Sequence, residues 1–108
     1  MKLRIYSRIL ELVSWVLPYE RKIRRHDRNL AEQLKRAMTS VPLNVAEGYY
    51  SRGGNQAAHY HVALGSAGES LACLQVAEAR RYIASVEPNV LSRFDEVIGT
   101  LAKLSRGR

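Results

Sequence analysis

Between Gly53 and Ala77 the chain carries one formal charge, Glu69, although 25% of all its residues are charged. So bare a run predicts a long helix that meets apolar neighbours on more than one face. A chain of 108 residues can bury only about two thirds of its unfolded surface. That is too little to wrap such a helix on all sides, so the run also predicts self-assembly.

Helical periodicity is found along the rest of the chain. Ile5, Ile9, Leu12 and Val16 share one face of a first helix, expected from about Lys2 to Leu17 and ended by Pro18. The basic segment Tyr19–His26 has weak periodicity and reads as a loop. A second helix starts near Asp27, a good N-cap, and runs to about Arg52. Its stripe of Leu30, Leu34, Met38, Val41, Val45 and Tyr49 stays in phase through Pro42, which predicts a kinked but continuous helix. Ser40 is positioned to satisfy backbone groups that the kink frees. Gly53-Gly54 is expected to end this helix.

The third helix is expected over about Gln56–Tyr82, with Asn55 as cap. Ala57, Tyr60, Leu64, Ala67, Leu71 and Leu74 form one face; Val62, Ser66, Glu69, Cys73 and Val76 form the opposite one. Gly65 and Gly68 each cost about 1 kcal/mol relative to alanine inside a helix. With Ala72 they allow another backbone to come close, which would repay that cost. Pro88 opens a fourth helix, to about Leu104, with Val90, Leu91, Phe94, Val97, Ile98, Leu101 and Leu104 facing the core. The tail Ser105–Arg108 is expected to fray. No linker divides the chain, so residues 1–108 read as one domain. Its fold class is all-α, an up-down-up-down antiparallel four-helix bundle.

A polar stripe crosses the second helix opposite its apolar face. Arg36, Ser40, Asn44 and Glu47 recur at four, four and three residues, flanked by Ala37, Leu43 and Ala46 rather than by the Lys and Glu of a solvated face. The third helix offers a partial match in Ser66 and Glu69. Together these six residues predict a hydrogen-bond and ion-pair network, with Arg36 as a bidentate fork between carboxylates, within or between subunits. Such a network would favour specificity of packing or assembly over raw stability.

The run Arg36-Ala37…Ser40-Val41-Pro42-Leu43-Asn44-Val45-Ala46-Glu47-Gly48…Arg52, followed by Ala63-Leu64-Gly65-Ser66…Glu69, resembles the four-helix-bundle proteins of the 23S ribosomal RNA intervening-sequence family. The likeness covers the second and third helices, about half the chain. It implies a bundle that assembles into a ring, typically a homopentamer. A related branch resembles accessory proteins of diversity-generating retroelements, which bind nucleic acid and a reverse transcriptase; RNA, DNA and a reverse-transcriptase-like protein are therefore the partners the resemblance implies. The family usually continues past Arg52 with a Lys-Glu-Phe-like stretch, where this chain has Gly53-Gly54-Asn55-Gln56-Ala57-Ala58-His59-Tyr60.

Arg21, Lys22, Arg24, Arg25 and Arg28 lie within eight residues, beside Tyr19 and His26 and tempered by Glu20 and Asp27. In a chain of net charge +7 this cluster is the candidate phosphate-contact patch, which a ring would multiply around its axis. A solvated basic loop is the competing reading, and no RNA-binding signature accompanies the cluster.

Other chemistries find little support. His59 and His61 are two apart and point to different helix faces, whereas zinc pairs on a helix need three or four residues of separation. Gly53-Gly54 lacks the Lys and Ser/Thr of a phosphate loop. Cys73, the single cysteine, sits in an apolar register and reads as packing. No metal, cofactor or catalytic activity is expected. With one cysteine and no apolar signal core at Met1–Ile5, a reducing, cytoplasmic setting is expected. The polar groups within 53–77, Asn55, Gln56 and Glu69 among them, argue against a membrane span. The expected function is a non-catalytic oligomer that binds nucleic acid, or a nucleic-acid-associated partner, through its basic surface. The alternative is a structural or protein-interaction module whose positive charge is incidental.

Overall fold

The computed structural model describes residues 1–107 and contains four helices: α1 (Arg4–Arg24), α2 (Arg28–Tyr49), α3 (Gly53–Ala79) and α4 (Pro88–Ser105). α1 packs on α2, α2 on α3, α3 on α4, and α4 back on α1, so the helices form a closed square. Neighbours run antiparallel. On α2 Ser40 faces Ser66 and the later Gly48 faces the earlier Tyr60, while on α1 Arg8 pairs with Glu96 and the later Tyr19 reaches the earlier Glu87. The bundle measures 42 × 25 × 20 Å. Of the expected tail, Ser105 belongs to α4, and Arg108 lies outside the described residues.

The core follows the helical stripes. Ile5, Ile9, Leu12 and Val16 on α1 meet Leu34, Met38, Val41 and Val45 on α2, Ala63, Ala67 and Leu74 on α3, and Phe94, Val97 and Leu101 on α4. Small residues on α3 let α2 and α4 approach it. At Gly48 the space is fully used: a Cβ there would lie 2.7 Å from the Tyr60 ring.

The two internal prolines behave alike, which corrects one expectation. Pro18 does not end α1; the helix continues to Arg24, and Tyr19–His26 is mostly helical rather than a loop. Pro18 is exposed, so its ring and missing N–H disturb only the solvent side. Ile23, two turns beyond Val16, is fully buried and holds the last turns against the core. Pro42 lies within α2 as expected, but on its buried side. Asp27 caps α2, its Oδ1 accepting from the Leu30 N–H at 3.0 Å. Asn55 does not cap α3. The helix begins at Gly53, which takes φ +57°, after Arg52 as N-cap. Gln56 instead serves the end of α2, donating from Nε2 to the carbonyls of Gly48 (3.0 Å) and Ser51 (3.1 Å). α3 ends at Ala79, earlier than expected, because Arg81 adopts φ +63° and turns the chain. The Tyr82 N–H closes that turn on the Ala77 carbonyl at 2.8 Å.

Candidate nucleic-acid interface and polar seam

The turn between α1 and α2 and the loop between α3 and α4 meet at one end of the bundle. Tyr82 ties them together. Its hydroxyl accepts from Arg80 Nε (2.9 Å) and donates to Asp27 Oδ2 (3.4 Å), while its ring stacks on His26, centroids 5.2 Å apart and planes 7° from parallel. The Arg80 guanidinium is held above its ordinary pKa, first by that hydrogen bond to Tyr82.

This end gathers the cations. Arg21, Lys22 and Arg25 from α1 and its cap, and Arg28 from the start of α2, are all exposed. The structure adds Arg80 and Arg81, which sequence periodicity assigns to the third helix. Arg24 stands apart from the cluster. It donates to Glu32 (3.3 Å) and Glu20 (3.4 Å), which hold its guanidinium in the protonated form. The same contact, chiefly the hydrogen bond from Arg24, holds the Glu32 carboxyl below its usual range. Four carboxylates, Glu20, Asp27, Glu32 and Glu78, temper the patch, and two of them are spent on Arg24. An open hollow of about 680 Å³ lies here, with Lys22, Glu78, Arg81 and Tyr82 on its walls.

The expected α2–α3 network is present in altered form. Ser66 Oγ donates to Ser40 Oγ (2.8 Å), and Asn44 Nδ2 donates to both the hydroxyl and the carbonyl of Ser40 (3.0 Å each). Asn44 Oδ1 meets His59 Nδ1 at 3.2 Å, and His59 Nε2 lies 3.5 Å from the Glu47 carboxylate. Thus Ser40, Asn44, Glu47 and Ser66 are brought into one seam, and His59 is the member that sequence reasoning missed. Its signal was available: His59 precedes Ser66 by seven residues, two turns on the same face. Arg36 and Glu69 do not join. Both are exposed, and among the described residues neither makes an ion pair within the chain, so no arginine fork bridges Glu47 and Glu69 here. Arg36 instead edges a shallow hollow of about 440 Å³ with Leu43 and Glu47.

A second polar cluster joins α1 to α4. Arg93 is buried; its Nη1 donates to the Arg8 carbonyl (2.8 Å) and Glu11 (3.0 Å), its Nε lies 3.3 Å from Glu96, and its guanidinium sits 4.4 Å above the Trp15 ring. Buried and held by two carboxylates, a carbonyl and a ring, the group reads as structural.

The outer face of α3 is uncovered. Ala58, Val62, Gly65, Glu69, Ala72, Val76 and Ala79 recur alternately at four and three residues, and all are exposed. This is the repeat of a helix seam awaiting a partner helix. A Cβ on Gly65 or Gly68 would meet nothing within 4 Å. No contact within the chain therefore calls for these glycines.

Cys73 is buried, and burial, with the Glu69 charge adding to it, pushes the thiol above its ordinary pKa. Among the described residues no three His, Cys, Asp or Glu side chains group as metal ligands. No helix of the structure is long and apolar enough to cross a membrane.

Residues 1–103 match the model of the 23S rRNA-intervening sequence protein family. No curated protein matches the chain. The fold is similar to a crystal structure from Bacteroides thetaiotaomicron, of a protein with unknown function from the S23 ribosomal protein family. That similarity has a TM-score of 0.66 at 14% identity and covers 94% of this chain and 92% of the other.

Proposed function

The chain belongs to the 23S rRNA-intervening sequence protein family, and within it we propose a non-catalytic, self-assembling bundle that binds nucleic acid through its basic end. The observation that carries the reading is the convergence of cations from three chain segments. Lys22 of α1 and Arg81 of the α3–α4 loop line one hollow, Arg80 is held on Tyr82, which stacks on His26, and Arg21, Arg25 and Arg28 are exposed at the end of α1 and the start of α2. Exposed cations not committed to carboxylates release counterions from phosphate when they bind, and this term supplies most sequence-independent affinity. The Ser40 and Ser66 hydroxyls of the α2–α3 seam are bonded to each other, and His59 meets Asn44 and Glu47, with no activated nucleophile among them.

Self-assembly is supported by the outer face of α3. Two interior glycines, each costing about 1 kcal/mol relative to alanine, face open space in the single chain. Close approach of a second helix would give them a use. A ring of such bundles, five by family resemblance, would repeat the basic end around an axis and raise affinity through multivalency.

The test is a mobility shift of labelled RNA and DNA across a salt series. The reading expects affinity to fall steeply and linearly on a log–log plot, and Lys22→Glu with Arg25→Glu to abolish binding. Absence of any shift at low salt would leave protein interaction as the remaining role and remove nucleic acid from it.

A further inference from the structure

Among the described residues, Arg81 is the one non-glycine residue with positive φ (+63°). It occupies the position just past the end of α3 where a glycine usually makes this turn, because a side chain there crowds the backbone. Among the described residues no carboxylate lies within ion-pair reach of its guanidinium, and the bond from the Tyr82 N–H to the Ala77 carbonyl that closes the turn needs only the backbone. Glycine would make the same turn without strain, so an arginine kept at this position points to a use for its side chain.

The surroundings say which. Arg81 and Lys22 are on the walls of one open hollow, and Tyr82 forms another wall. Tyr82 backs the ring of His26, which is exposed. One His26 face is spent on Tyr82, and the residue is otherwise exposed. Two cations at a hollow whose Tyr82 wall stacks on an exposed ring match the two needs of a single strand, a phosphodiester to neutralise and an unstacked base to cover. A duplex can use the cations but keeps its bases stacked.

We infer that this end of the bundle is a single-strand seat, in which Arg81 and Lys22 hold a phosphodiester and the outer face of His26 takes a base. The inference rests on the nucleic-acid reading above and deepens it. Glu78 also lines the hollow and, as a carboxylate, repels a phosphate from its own part of the wall.

The experiment uses the full chain with a fluorescent oligouridylate and a duplex of the same length, titrated at several salt concentrations. Arg81→Gly relieves the backbone, so its melting midpoint rises by a few degrees. Its affinity for oligouridylate nevertheless falls about three- to tenfold, and the salt slope drops by about one. Arg4→Gln removes one charge about 27 Å away along α1 and leaves the slope unchanged. His26→Ala weakens oligouridylate binding and leaves the duplex unaffected.

Arg81→Gly with raised stability and undiminished affinity would overturn the seat while sparing the broader reading. Equal losses from Arg81→Gly and Arg4→Gln would also overturn it, since general charge would then explain both. So would duplex bound as tightly as oligouridylate. Failure of the unmodified chain to bind either probe at low salt would remove both readings.

Discussion

Gly48 is the residue at which one added carbon does most harm. Its missing Cβ leaves room for the buried Tyr60 ring, and an alanine would press on that ring at 2.7 Å. Helix propensity favours alanine by about 1 kcal/mol, whereas overpacking a tight core costs about 1–3 kcal/mol. Gly48→Ala is therefore expected to destabilise by up to about 2 kcal/mol in denaturant titration; a gain would show that Tyr60 moves aside freely. Cys73 gives a second check at this scale. Its raised pKa leaves less thiolate at neutral pH than a free thiol holds, and burial hinders access. Iodoacetamide should modify it slowly in the native chain, faster as pH rises, and fully only after unfolding. Labelling as fast as a free thiol at neutral pH would contradict this. Sequence patterns revealed Asp27 as a cap and Ser40, Asn44, Glu47 and Ser66 as one seam. They did not reveal His59, because its partner histidine two residues away drew the question toward metal. Nor did they reveal that Arg36 and Glu69 point outward, since face assignments fix direction only to about a third of a turn.

At the scale of elements, the prolines explain what could be read and what could not. The stripe through Pro42 is dense on both sides, so continuity of α2 was legible. Beyond Pro18 only Tyr19 and Ile23 extend the stripe of α1, and they look like a loop amid Arg21, Lys22, Arg24 and Arg25. In the folded chain Ile23 is fully buried and Tyr19 packs against the core. Pro18 is exposed inside a helix, so Pro18→Ala restores a backbone donor at no cost in packing. It should stabilise by roughly 1–3 kcal/mol. Pro42 is buried, so Pro42→Ala gains the same donor but opens a void, and its benefit should be clearly smaller. Thermal melts of the two variants compare these outcomes; equal gains would mean that the Pro42 ring contributes nothing to the core. The end of α3 was illegible for another reason: a left-handed turn at arginine has no signature in composition. Arg80 and Arg81 therefore joined the basic end only when the fold brought the α3–α4 loop beside α1.

For the whole molecule, the bare run 53–77 has a double meaning. One side of α3 is the inner wall of the bundle, lined by Tyr60, Ala63, Ala67, Ser70, Leu74 and Ala77. The other side is uncharged except for Glu69 near its middle, and exposed within the chain. The sequence could show that this helix avoids water more than its neighbours do. It could not apportion that avoidance between the chain's own core and a second chain. On the present account identical chains cover the outer side. The most direct measurement is the mass of the purified protein by light scattering or sedimentation over a wide concentration range, alongside Val62→Glu, whose site is exposed and so makes no demand on the monomer fold. The account predicts a defined multiple of 12.2 kDa for the unmodified chain and dissociation to folded monomer for the variant. A monodisperse 12.2 kDa species at the highest concentration would contradict it.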